Sequence, residues 1–326
     1  MFTSNDIEAR TVFVINCLEH TRFLRVCNGQ LLLEEDMGGD GRKTLTKFPF
    51  QKVLALLVIG HISVTTPLIE KCKKHNVALI VVKPNLRPVF YWAEAAEGNY
   101  LLRMRQHLFG KDDLSVARWL VSCKINNQIS CLKKTRRRDD LTLAAMAQCE
   151  AALGVAPHAA DANGLMGVEG TAARAFFAAY YQDLHWHGRR PRTKCDVLNA
   201  TLDIGYTILF NFVECFLRMF GFDLYIGIYH RLWFKRKSLV CDLVEPFRCL
   251  IDHATLLAFH RKQFKEKDFK LTDGAYYLRR EKSADYYKVF CSALIEKKLD
   301  IFRFIQAYYR CFMGKKSIAV YPKFEI

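Results

Sequence analysis

"LDIGYTILFNFVECFLRMFGF", residues 202 to 222, is the most apolar run in the chain, and its reading decides between two folds. It is long enough to cross a bilayer. Asp203, Asn211, Glu214 and Arg218 interrupt it, however, and polar groups at that density are expensive in lipid. Its apolar residues recur at three- and four-residue spacings, so the run is expected to be a core helix of a folded, water-soluble protein without membrane contact.

On either side of this run the pattern stays helical. "NYLLRMRQHLFG", "LSVARWLVSCKINNQISCLKK", "DLTLAAMAQCEAALG" and "NGLMGVEGTAARAFFAAYYQDLHW" all place apolar residues at helical spacing. Before Gly98 the texture differs. "TVFVINC", "TRFLRVC", "KVLALLVIG", "VALIVVK" and "RPVFYWA" are β-branched and aromatic, Asn28-Gly29 forms a tight hairpin turn, and "TPLIEKCKKH" is a short helical connection opening on Pro67. The expected fold class is α+β: a small N-terminal β-rich domain, residues 1–98, followed by a larger all-α catalytic domain, residues 99–326.

The charge is distributed unevenly. Residues 1–98 carry a net +2 and residues 99–326 a net +14 of the chain's formal +16. A polyanion is the natural partner of such a surface. Aromatics interleaved with the basic stretches ("HRLWFKRK", "AYYLRREKSADYYK", "IQAYYR") favour DNA over an anionic membrane, through stacking on exposed bases. The run "KKTRRRDD" (133–140) reads as a solvated helix end, and the histidines of "HWH" (185–187) as surface groups. None of the twelve cysteines stands in a CxxC pair, and "MFTSNDIEARTVFV" has no leader character, so reduced, mostly buried thiols of a cytoplasmic protein are expected.

Two segments carry acids where helix packing prefers apolar groups. Glu169 lies between small residues in "GLMGVEGTAARAFF", read as the head of a helix, and "SLVCDLVEPF" sets Asp242 and Glu245 three apart, on one helix face if helical throughout. A buried carboxylate must be paired, protonated or bound to a metal. His230, in "YHRLWFKRK", adds an imidazole nitrogen, and one imidazole with two or three carboxylates suits Mg²⁺ or Mn²⁺ better than structural zinc. Taken singly, each residue also has an ordinary reading: His230 as a satisfied core histidine, Asp242 as an acid paired to Arg248, Glu169 as an exposed first-turn acid.

At these residues the sequence resembles a known family. "GLMGVEGTAARAFF", "RRPRTKCDVLNATLDIGYTILFN", "GFDLYIGIYH" and "SLVCDLVEPFR" follow in the order of the CRISPR-associated adaptation integrases, the family often called "Cas one". "HISVTTPLIEKCKKHNVALIVV", "NYLLRMRQ" and "KINNQ" extend the resemblance over nearly the whole chain. One departure falls in "RRPRTKCD", where Arg192 replaces a second proline and the following aspartate becomes Cys195 or Asp196.

The resemblance implies a metal-dependent DNA endonuclease and integrase, in which a spacer 3′-hydroxyl attacks a phosphodiester of a CRISPR repeat. It implies Glu169, His230 and Glu245 as ligands of Mg²⁺ or Mn²⁺, with Asp242 a supporting catalytic acid beside them. Arg189, Arg190, Arg192, Arg231, Lys235, Arg236, Lys237 and Arg248 would then meet DNA phosphates. A homodimer formed through the strand domain and a small ferredoxin-like partner ("Cas two") complete the implied assembly. Two other readings stay open: a metal-dependent nuclease or transposon-type integrase working outside CRISPR arrays, and a non-catalytic DNA-binding scaffold of the same fold.

Overall fold

Strands form where β-branched and aromatic residues concentrate: β1 (Thr11–Cys17), β2 (Arg22–Cys27), β3 (Gln30–Asp36), β4 (Arg42–Pro49), β5 (Val53–Gly60), β6 (Ala78–Val82) and β7 (Pro88–Trp92). The computed structural model describes residues 2–93, 96, 98–109, 113–230 and 234–326. The seven strands make two sheets, β1-β5-β6-β7 and β2-β3-β4. In the first, β1, β5 and β6 run parallel and β7 closes it antiparallel. The second is antiparallel throughout. Its first hairpin turns at Asn28-Gly29, both at positive φ (49° and 74°), as a two-residue turn matched to strand twist requires. β4 escaped the sequence reading because "RKTLTKFP" is exposed along nearly its whole length and shows no apolar alternation.

Every residue of β5 is buried, the signature of a strand covered on both faces. Val53, Leu56 and Val58 join Leu24, Leu31, Leu33 and Phe48 of the second sheet in one apolar core, where Phe13 stacks on Phe48 at 3.9 Å. Leu54, Leu57 and Ile59 belong instead to the core of the helical part.

The helices are α1 (Ser4–Ala9), α2 (Thr66–His75), α3 (Tyr100–Leu108), α4 (Ser115–Lys134), α5 (Asp140–Val155), α6 (Ala162–Tyr180), α7 (Val197–Phe220), α8 (Ser238–Leu243), α9 (Arg248–His260), α10 (Ser283–Glu296) and α11 (Lys298–Met313). α2 is the expected crossover between β5 and β6. The chain is thus β-rich and then mostly helical, with one addition to the all-helical expectation: a hairpin of β8 (Phe269–Thr272) and β9 (Ala275–Leu278) between α9 and α10.

α7 is the apolar run of the sequence, and most of it is buried inside the protein. Each interrupting polar residue has a partner there. Asp203 takes Arg189 at 2.6 Å, Asn211 donates to the carbonyl of Leu86, and fully buried Glu214 holds both Arg218 and Lys237 at 2.7 Å. Gly205 sits where α7 meets α9 and α10, and a Cβ there would run into Ile251 and Phe290.

Beside that contact lies a second buried acid. Asp252 on α9 accepts from the Tyr206 hydroxyl at 2.5 Å, and Tyr181 donates to its carbonyl at 3.1 Å. Burial pushes the Asp252 carboxyl up from 3.8 to about 6, against the pull of the Tyr206 hydroxyl, Arg248 and Arg189.

Two outcomes follow from this packing. Gly205→Ala should lose about 1–3 kcal/mol in urea unfolding, because buried Ile251 and Phe290 have nowhere to go; unchanged stability would mean that α9 and α10 yield freely. The second concerns pH. The folded-state value of Asp252 lies above its unfolded value, so the native chain holds this proton more tightly, and the associated stability is present below 3.8 and lost as pH rises through about 6. Asp252→Asn removes that loss and should be more stable than wild type at pH 7 by on the order of 2 kcal/mol. The gap should close in acid, and urea midpoints that keep a constant difference across the range would contradict the assignment.

Candidate active site

Three elements bring acids and cations to one place. α4 carries Lys124, α6 carries Glu169 about two turns in, and the turn after α8 carries Glu245. Lys124 Nζ lies 2.5 Å from Glu169 Oε1 and 2.7 Å from Glu245 Oε2. Arg248 Nε meets the same Glu245 oxygen at 2.8 Å. The Tyr229 hydroxyl donates to Glu169 Oε2 at 2.8 Å.

Electrostatics follows from burial and pairing. Burial alone disfavours the Lys124 ammonium, but Glu245 and Glu169 outweigh it and hold the ammonium above its ordinary range. Burial likewise works against the Glu245 carboxylate, and Arg248 and Lys124 together hold it well below the usual carboxylate value. Burial, and then the charge of Glu169, push the Tyr229 hydroxyl up, so it stays a donor.

Asp242 and Glu245 do not share a direction, contrary to the single helix face expected from their spacing. α8 ends at Leu243, and Glu245 opens a short 3₁₀ turn with Pro246. Proline lacks the amide that an unbroken helix needs. Asn127, one turn on from Lys124 in "KINNQ", donates to the carbonyl of Pro246 at 2.9 Å and pins this turn to α4.

Asp242 turns the other way and is fully buried. Its Oδ2 accepts from the amides of Ile228 (2.6 Å) and Tyr229 (3.2 Å), and its Oδ1 from the amide of His230 (2.9 Å). Oδ1 also lies 2.6 Å from His230 Nδ1. An ionised carboxylate only accepts, so Nδ1 carries a proton, and in the neutral ring Nε2 keeps its lone pair. Gly227 permits the approach: a Cβ there would meet Ser238, the His230 carbonyl and Asp242 Oδ2 itself. Asp242 is therefore not paired to Arg248, and His230, held by that carboxylate, stays partly exposed rather than sitting in the core.

The basic residues divide. Arg190, Arg192 and Lys235 are exposed. Arg189 is spent on Asn199 and Asp203, Lys237 on Glu214, and Arg248 on Glu245. Arg236 is half-buried, and Arg231 lies outside the described residues. Phe234, in the same stretch, is 83% exposed. The histidines of "HWH" are on the surface as expected, and α4 ends inside "KKTRRRDD".

Sequence reading missed Lys124 and Tyr229. The first stood in plain view as the lysine of "KINNQ", and the second directly precedes His230, but nothing in one sequence says that α4 faces α6.

Among the described residues no three His, Cys, Asp or Glu side chains stand close enough to hold an ion as they are. The donor chemistry nevertheless suits one. Two carboxylates from separate elements converge on a positive charge, that of Lys124, and the tautomer that Asp242 imposes leaves His230 Nε2 able to donate its lone pair. Oxygen-rich sets with one imidazole favour Mg²⁺ or Mn²⁺.

Comparison with known proteins agrees with this architecture. A "CRISPR-associated endonuclease Cas1 1" of Thermodesulfovibrio yellowstonii is 25% identical over 286 residues, 83% of this chain and 89% of the relative. A casposase bound to integration product superposes with a TM-score of 0.74 over 97% of this chain and 94% of that one, at 17% identity. A chain of a Cas6-RT-Cas1–Cas2 complex does so at 0.75 over 97% of this chain and 36% of that longer one, at 18% identity. At such identities the structural likeness concerns the fold. The family description "CRISPR associated protein Cas1" matches residues 16–291. That span takes in Lys124, Glu169, His230, Asp242 and Glu245 together, and the chain belongs to the CRISPR associated protein Cas1 family.

Proposed function

We propose that the chain is a metal-dependent DNA integrase of CRISPR adaptation, joining a spacer 3′-hydroxyl to a phosphodiester of the repeat. The observation that carries this reading is the convergence of Glu169 and Glu245 on one cation, with Tyr229 on Glu169 and the next residue, His230, oriented by a buried aspartate. Mg²⁺ or Mn²⁺ held by Glu169, Glu245 and His230 would supply Lewis-acid stabilisation of charge on the phosphoryl oxygens. The chain's own residues do the rest. Asp242 fixes the ring of His230, Tyr229 orients Glu169, and Arg248 keeps Glu245 ionised in its buried position. Arg190, Arg192 and Lys235 meet DNA phosphates, and exposed Phe234 offers a stacking face.

The names of the relatives support the same reading: endonuclease in one, integration product in another, an assembly with Cas2 in a third. A homodimer through the strand-rich part and a small ferredoxin-like partner belong to the proposal. The casposase likeness favours joining over cutting alone, and it keeps a transposon-type integrase as the second reading.

The test is incubation with a short duplex and a supercoiled plasmid bearing a repeat, in Mn²⁺ or EDTA. Joined products should form only with metal and at the repeat borders; joining at random plasmid sites would favour the second reading, and products in EDTA would remove the metal from the chemistry. Glu169→Ala and His230→Ala should each lower joining by roughly 100-fold or more with DNA affinity largely kept, and wild-type rates in either would refute the site.

Affinity should fall linearly on a log–log plot against salt. Arg190→Ala and Arg192→Ala should each reduce the slope by about 1, whereas Arg189→Ala, which removes one side-chain partner from each of Asp203 and Asn199, should show mainly as lost thermal stability. An unchanged salt slope in both exposed variants would move the DNA path elsewhere.

A further inference from the structure

Lys124 has no role in the reading above, yet it stands at its centre. We infer that Lys124 is an internal placeholder for the metal: its ammonium occupies the point where Glu169 and Glu245 converge and withdraws when a divalent cation takes those oxygens. The inference rests on the proposed metal site and goes beyond it.

Three observations carry it. First, the same nitrogen lies within 2.7 Å of an oxygen from each carboxylate, and a divalent cation binding those oxygens at about 2.0–2.2 Å would come too close to an ammonium left in place. Second, the acids are enclosed. Glu245 is 4% exposed and the Glu169 side chain 18%, so an empty site would leave two carboxylates facing each other out of water, which folded chains avoid. Third, the other partners are not interchangeable with Lys124. Arg248 reaches only Glu245, and Tyr229 is a neutral donor to Glu169. Among the described residues Lys124 is the one that bridges the two, and its four-carbon stem can swing, where a shorter or planar cation would be held. The exchange conserves sign: one positive group leaves as another arrives, and α4, α6 and the Glu245 turn stay tied in both states.

The experiment compares wild type, Lys124→Met and the double variant Lys124→Met/Glu169→Gln by calorimetric titration with MnCl₂ and by thermal melting in EDTA and in Mn²⁺. Lys124→Met should bind Mn²⁺ at least about tenfold more tightly than wild type, the scale of one charge-assisted hydrogen bond no longer competing. It should also melt below wild type in EDTA and gain more than wild type from Mn²⁺. Removing one acid as well should raise the EDTA melting temperature above that of the single variant, and this arm keeps the test alive should Lys124→Met alone not fold without metal. Equal or weaker Mn²⁺ binding by Lys124→Met, with wild type binding normally, overturns the placeholder and leaves the metal site standing. No Mn²⁺ uptake by either protein overturns both. A double variant melting at or below the single would show that the lysine's contribution is packing, not charge, and would also overturn the inference.

Discussion

Asp242 is the point on which the site depends. A carboxylate with no contact with water must be fully satisfied, and among the described residues three successive backbone amides and the ring of His230 meet it. Satisfying it folds residues 228–230 tightly around α8, which sets the tautomer of His230 and brings Tyr229 to Glu169. One buried charge thereby orders a loop that has no regular secondary structure of its own. The same constraint explains why glycine stands at 227: any side chain would separate the loop from the acid that organises it.

The Lys124 cluster plays a complementary part. Asp242 fixes a loop to one helix, whereas Lys124 ties together elements far apart in sequence, α4, α6 and the turn before α9. Two carboxylates, an ammonium and a guanidinium leave a charge near balance in a nearly closed space. Such a group is tolerated inside a protein only when its geometry is good, so its presence here points to use rather than to stability alone.

Much of the fold was legible in the residues. Apolar spacing located the long helices, β-branched and aromatic runs located five of the seven N-terminal strands, and Asn28-Gly29 located the hairpin. β4 was not legible because its side chains are mostly exposed, and β8 and β9 because four-residue strands carry too little pattern. For the site, residue type was enough to single out Glu169, His230, Asp242 and Glu245 as costly to bury, while order along the chain supplied the family. Direction was the part that one sequence could not give. Spacing puts Asp242 and Glu245 on one face, and Pro246 turns them apart; charge alone assigns Arg189, Lys237 and Arg248 to DNA, and the fold spends them on Asp203, Glu214 and Glu245.

The two-sided burial of β5 bears on how the molecule comes apart. Composition changes at residue 98, but packing does not: one face of the first sheet is sealed by the second sheet and the other by helices. A chain cut there would expose Leu54, Leu57 and Ile80 to water on the piece that remains. Strand-rich and helical parts are therefore coupled in unfolding. A change in how the strand-rich part associates with other molecules has, through that shared strand, a mechanical route to α7 and to the site beyond it.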